Sequence, residues 1–274
     1  MTLQELQQST GLEGDVIAIL DQTEVLTGKP IEFVQDDSLW ILASVRMARS
    51  FMPAHVIRFR KADPVVLAHL IAHECGHVQR LFAVPPQKRL VPVTRIEHID
   101  HVFRILAADA RVALGGMDES GARELFTMWH QGIVSQVVNL NVDYRIESWL
   151  YREYPGIRPN QEKSIELQVQ MSVAGLASNV KQATPHLLYE GSNAVNYAYL
   201  RSVGIMLGQN LVRDYTDATI VKLGKRLAAV LEEPDTGFEG DVRESNQWAA
   251  ILGIGEWFDW QAFEDMPASY LSSS

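Results

Sequence analysis

A chain of 274 residues with 47% hydrophobic and 21% charged positions has the balance of a globular protein that can bury a core, and not that of a disordered or fibrous one. At a net charge of -10, and without a cluster of Lys and Arg to meet phosphates, no nucleic-acid partner is expected. The single cysteine, Cys75, excludes an internal disulfide. No basic-then-apolar stretch opens the chain and no run approaches the ~18 apolar residues of a membrane span, so a cytoplasmic protein that is not membrane-embedded is expected.

In chain order, residues 3 to 21 space their apolar positions as a helix does, and Gly28-Lys29-Pro30 breaks the chain before IEFVQ, a strand. SLWILASVRMARSF at 38 to 51 reads as a helix. HVIRFRK at 55 to 61 places Val56, Ile57 and Phe59 among basic residues, which suits an edge strand. Asp63-Pro64 then supplies an N-cap and a proline at the first helical position, and Pro85-Pro86 stops the helix at about Phe82. Further helices are predicted at about 93 to 114, 119 to 152, 161 to 181 and 194 to 232, separated by GGMDES, YPGIRPN and the loop TPHLLYEGSN. EEPDTGFEGD at 232 to 241 reads as an exposed acidic turn. The tail beyond it carries Trp248, Trp257, Phe258, Trp260 and Phe263, expected to pack, with a protein-partner surface as the alternative.

The segment HLIAHECGHVQRLF, inside the helix that starts at Pro64, contains HECGH. A helix turns about 100° per residue, so His73 and His77 stand one turn apart on one face, where both imidazoles can reach one ion. Glu74 lies about 100° around from His73, placed to act on a water at the metal and not on the metal itself. Zinc brings the pKa of a bound water to roughly 7, and a carboxylate beside it can take the proton and pass it to a leaving group. Uncharged neighbours suit a buried helix, and Gly76 permits close approach by another element. Cys75 points across the helix from His73 and belongs to the core. His69 shares the face but is about 12 Å from His77 along the axis, too far for one ion, and takes an orienting or structural role. The expected architecture is mainly α (α+β): a zincin-like helical domain with a small edge β-sheet before the HExxH helix. It forms one domain over 1–274, divisible into a metal-site core at 1–185 and a helical C-terminal extension at 186–274.

A catalytic zinc takes three protein ligands and keeps one position open. Candidates for the third are His98 and His101 in RIEHIDHVF, His130 in FTMWHQG, and Asp143 and Glu147 in NLNVDYRIESWLYREYPGI. The last two are four apart on one face of an otherwise apolar helix, where carboxylates need a cation or donors to offset burial. HECGH followed by N-L-N-V-D-Y-R-I-E and Pro-Gly resembles the metallopeptidase-like regions associated with von Willebrand factor A-type domains, including cobaltochelatase-like and nitric-oxide-reductase-activation-like proteins. Val142 stands where that pattern often has an acidic residue, and no A-type domain is visible. By analogy with gluzincins, the resemblance implies that Asp143 binds zinc and Glu147 orients His73 or His77, with the reverse assignment left open. Arg145 is read as a structural ion-pair residue and Tyr144 as a partly buried aromatic.

The expected function is a zinc-dependent metallopeptidase, holding one Zn2+ and hydrolysing a peptide or protein substrate with Glu74 as general base. The alternative is a non-catalytic zinc-binding accessory of a larger assembly, as the resemblance to chelatase and activation proteins suggests. A purely structural zinc would be closed by four ligands and rich in cysteine, and this chain has one.

Overall fold

The computed structural model describes residues 14–39, 41–107, 109, 115–268 and 270. Its first helix, α1 (Asp15–Thr27), ends at Gly28, whose left-handed backbone (φ 66°) turns the chain into β1 (Ile31–Gln35). Residues 3 to 13 of the helix predicted at 3 to 21 lie outside the described residues. The next segment is not the helix predicted at 38 to 51. It contains β2 (Ala43–Arg46), in which Ala43 and Val45 are buried and alternate with half-buried Ser44 and Arg46, a period of two that a sheet satisfies and a helix does not.

The strand predicted from HVIRFRK forms as β3 (His55–Phe59), but in the centre of the sheet and not at its edge. It pairs in parallel with β1, Phe33 opposite Ile57, and antiparallel with β2, Val45 opposite Ile57. The basic residues misled the prediction because Arg58 is the one half-buried position of an otherwise buried strand, and its guanidinium lies 3.9 Å from Asp36 at the sheet rim.

The helix α2 (Pro64–Phe82) starts and stops as predicted. Asp63 accepts a hydrogen bond from the Val65 amide at 2.9 Å, and Pro64 takes the first position. Nearly every residue from Val66 to Val78 is buried, because α1, β2 and two later helices enclose it. After β4 (Leu90–Val93) comes α3 (Ile96–Leu106), shorter than the helix predicted at 93 to 114; residues 108 and 110–114 of that segment lie outside the described residues. A 35-residue helix, α4 (Glu119–Glu153), follows and runs roughly 50 Å.

Two long predictions are broken. The helix expected at 161 to 181 is α5 (Arg158–Ala174) and a separate short α6 (Ser178–Ala183). The helix expected at 194 to 232 is α7 (His186–Leu207), which takes in most of the predicted loop TPHLLYEGSN, and α8 (Ala218–Leu231). Gly208 at φ 67° ends α7, and Asp217 caps α8 through the Thr219 and Ile220 amides. EEPDTGFEGD is likewise not a free acidic turn: α9 (Phe238–Leu252) starts within it, Asp241 is buried, and Asp235 and Asp241 both hold Arg80 of α2. The final strand, β5 (Asp259–Ala262), pairs antiparallel with β4. The fold is mainly helical with small sheets.

The aromatic tail packs, as expected. Phe263 enters a core formed by the three-stranded sheet, α1 and α2, while Trp248, Trp257 and Phe258 enter a second core formed by α3, α4, α7, α8 and α9. Helix α4 belongs to both, giving Phe126, Ile133 and Val137 to the second and Ile146 and Leu150 to the first. Among the described residues, no helix is long and apolar enough to cross a membrane.

His55, fully buried at the start of β3, accepts a hydrogen bond from the Ala48 amide through Nδ1 at 3.0 Å. Burial, with Lys29 and Arg89 nearby, pushes its pKa down to about 4. The folded protein therefore refuses a proton that the unfolded chain takes up at about pH 6.5, so stability is full above that value and falls as pH drops towards 4. The expected loss is roughly 3 kcal/mol across this window. Urea titrations between pH 7 and 4 should show a steeper loss of stability in the parent protein than in His55→Asn; parallel slopes would contradict it.

Candidate metal centre

Helix α2 carries His69, His73 and His77 one turn apart on a common face, and Glu74 beside them. Helix α4 crosses this face. The two helices meet at Gly76, where an added Cβ would lie 2.6 Å from Ile146 Cγ2 and would be in collision with it. That approach explains the N-x-D-x-R-I-E pattern residue by residue. Ile146 fills the space over Gly76, and Asp143 and Glu147, one turn apart, face the histidines. Asn141 and Arg145 turn to α9 instead. Asn141 donates to the Asp241 carbonyl at 3.1 Å and to Ser245 Oγ at 3.2 Å, while Arg145 binds Glu244 with Nη2 at 2.6 Å and donates to the Glu233 carbonyl. Arg145 is thus the ion-pair residue that the sequence predicted, and half-buried Tyr144 lies against its guanidinium.

Two donor groups result. In the first, His73 Nε2, His77 Nε2 and Asp143 Oδ1 lie 3.2, 3.4 and 3.0 Å apart pairwise. Tetrahedral ligands at the usual zinc distances of about 2.0–2.1 Å would be separated by ~3.3–3.4 Å. Asp143 Oδ1, although buried and 3.0 Å from His77 Nε2, accepts no aligned hydrogen bond. A buried carboxylate oxygen left so, with two imidazole nitrogens converging on the same point, fits a cation. The three residues keep 7–8% of their surface exposed, although Asp143 Oδ1 itself is buried.

In the second group, Glu147 is wholly buried and committed to hydrogen bonds. Its Oε1 is 2.8 Å from His73 Nδ1, its Oε2 is 3.0 Å from His69 Nε2, and Gln161 of α5 donates to the same carboxylate and to the Glu147 carbonyl. These are the two His, Asp and Glu groups able to converge on one ion among the described residues. His69 and His77 fall in different groups, in keeping with their distance along the helix. Glu74 is buried next to His73.

The electrostatics follow from this packing. Burial works against a charged His73, but its contacts with Asp143 and Glu147 outweigh burial and hold its pKa well above the ordinary imidazole value. Burial would raise both carboxylates, yet the histidines hold Asp143 and Glu147 below the usual carboxylate range. Tyr199 of α7, buried near both carboxylates, has its phenol pushed well up, by burial first, and bonds Gln168 at 2.8 Å.

The other candidate ligands are engaged elsewhere. His98 Nδ1 accepts from the Arg95 amide, His101 lies 3.9 Å from Glu256, and His130 is buried with Nε2 2.7 Å from the Trp257 carbonyl. Cys75 is buried in the core, as expected, and burial pushes its thiol up to about 12. Nothing in RPNQEK marks Gln161 as the donor to a carboxylate on the preceding helix. Comparison with protein-family models, curated proteins and solved structures finds no match.

In an exposed helix Gly→Ala gains up to about 1 kcal/mol. Gly76→Ala should instead destabilise by about 1–3 kcal/mol, since the methyl group must displace Ile146. Ile146→Ala in the same chain should recover much of that loss, and strictly additive costs in chemical denaturation would refute the close approach.

Proposed function

We propose that the protein is a zinc-dependent metallopeptidase of zincin-like arrangement, in which His73, His77 and Asp143 hold one Zn2+. The observation that carries this reading is the convergence of His73 Nε2, His77 Nε2 and Asp143 Oδ1 from two helices at near-tetrahedral spacings, with the carboxylate oxygen lacking an aligned hydrogen bond. The preference for Asp143 over Glu147 as third ligand rests on hydrogen bonding. Both Glu147 oxygens are already engaged, and the residue has no exposure.

Glu147 then has a different task. By taking a hydrogen bond from His73 Nδ1–H, it fixes the tautomer that leaves the Nε2 lone pair facing His77 and Asp143. His69 and Gln161 hold Glu147 in turn. A zinc ion held there supplies a Lewis acid that polarises a peptide carbonyl and makes water nucleophilic near neutral pH. Glu74 accepts the proton of the attacking water and returns it to the departing amine. Three protein donors would leave a tetrahedral ion one further position for water or substrate, which hydrolysis requires and a closed structural zinc does not allow. The single-cysteine composition supports a cytoplasmic setting for this activity.

Metal analysis of the purified protein should give about one equivalent of zinc, lost in His73→Ala and Asp143→Ala, with roughly 10- to 100-fold weaker binding in Glu147→Gln. Full zinc content in Asp143→Ala would remove this ligand set. Glu74→Gln should keep its zinc and cut peptide hydrolysis by ~100- to 10,000-fold. Zinc binding with no hydrolysis in the parent protein would instead favour the non-catalytic accessory role.

A further inference from the structure

Beside the metal centre lies an apolar pocket whose wall includes His77 and Val142, the neighbour of Asp143. Val45, Val91, Phe238 and Trp260 continue the wall, drawn from β2, β4, α9 and β5. The cavity volume is about 80 Å³, room for several waters and on the scale of one aliphatic side chain, and it opens to solvent at its mouth.

Several of its polar members are already engaged with one another or with backbone. Arg80 is bound by Asp235 and Asp241, each through two nitrogen–oxygen contacts. Ser245 Oγ donates to the Asp241 carbonyl at 2.9 Å, and the Tyr270 hydroxyl donates to the Pro92 carbonyl at 2.9 Å. Two carboxylates around one guanidinium leave no attraction for an acidic group. A polar side chain entering the apolar part of this wall would lose its hydration, at a cost of about 1–3 kcal/mol where no partner replaces it. An apolar one gains about 25 cal/mol for each Å² removed from water.

The geometry points to a specificity pocket: it receives the apolar side chain of the residue adjoining the scissile bond, so the substrates are peptides with a leucine- or phenylalanine-like residue at that place. This rests on the peptidase reading. The aromatic C-terminal region thereby acquires a role beyond packing, since Trp260 forms part of the wall.

The test uses the zinc-loaded full chain and a mixed-sequence peptide library, with cleavage sites read by mass spectrometry. Cuts should cluster beside Leu, Met and Phe. Phe238→Ala, which enlarges the pocket away from the metal ligands, should lower kcat/KM about tenfold for leucine peptides relative to tryptophan peptides. A second measurement is independent of turnover: N-acetyl-leucinamide should shift the methyl NMR signals of Val91 and Val142 in the metal-free protein, and N-acetyl-aspartamide should leave them in place. Cleavage beside charged residues or glycine, with the leucinamide signals unmoved, overturns the pocket assignment and leaves the peptidase reading standing. No cleavage of any peptide by zinc-loaded protein overturns both.

Discussion

The arrangement depends on Glu147. It is a carboxylate with no solvent exposure, held ionised by the imidazoles of His69 and His73 and by the amide of Gln161. A buried charge is tolerated only when donors replace its water, and here they come from α2 and α5 while the charge itself sits on α4. Three helices are therefore tied at one buried point. Removing a donor would leave the charge uncompensated, which costs several kcal/mol in comparable buried pairs (about 3–5).

The same tie aims the donor atoms. His73 uses Nδ1 on Glu147 and presents Nε2 to His77 and Asp143, so a hydrogen bond that stabilises the fold also decides which nitrogen is offered outward. Gly76 contributes by what it lacks, since the contact with Ile146 sets how near the carboxylates can come. On the far side of α4, Asn141 and Arg145 anchor α9, and Arg80 ties the end of α2 to the start of α9. The pocket beside His77 is enclosed by this second set of ties.

What could be read from the sequence was whatever is encoded locally. The bounds of α2 follow from Asp63, Pro64 and the Pro85-Pro86 pair, and helical periodicity alone put His73 and His77 on one face and took Cys75 off it. The i, i+4 spacing of Asp143 and Glu147 on an apolar helix singled them out before any contact was known. What failed is non-local. β2 reads as helix because a four-residue strand carries little periodicity and is decided by pairing with β3. β3 reads as an edge strand because its basic residues suggest solvent, although Arg58 reaches only the sheet rim. The acidic segment before α9 was read as exposed since the partner of Asp235 and Asp241, Arg80, lies 155 and 161 residues away in the chain. Gln161 lies only 14 residues from Glu147, but which face of α5 meets that carboxylate is decided by how the helix packs.

The span of α4 across both cores bears on how the centre comes into being. The Glu147 carboxylate meets His73 and His69 over sequence separations of 74 and 78 residues, so the donor set forms only when α2 and α4 come together. The early α2 helix offers two imidazoles and no third ligand. Closing so long a loop carries an entropic cost met only when α4 docks on both cores. A cation that needs all three donors then discriminates strongly between native and incomplete states. Bound as proposed, it would act as a latch on the assembled centre and shift the equilibrium towards the native chain by mass action.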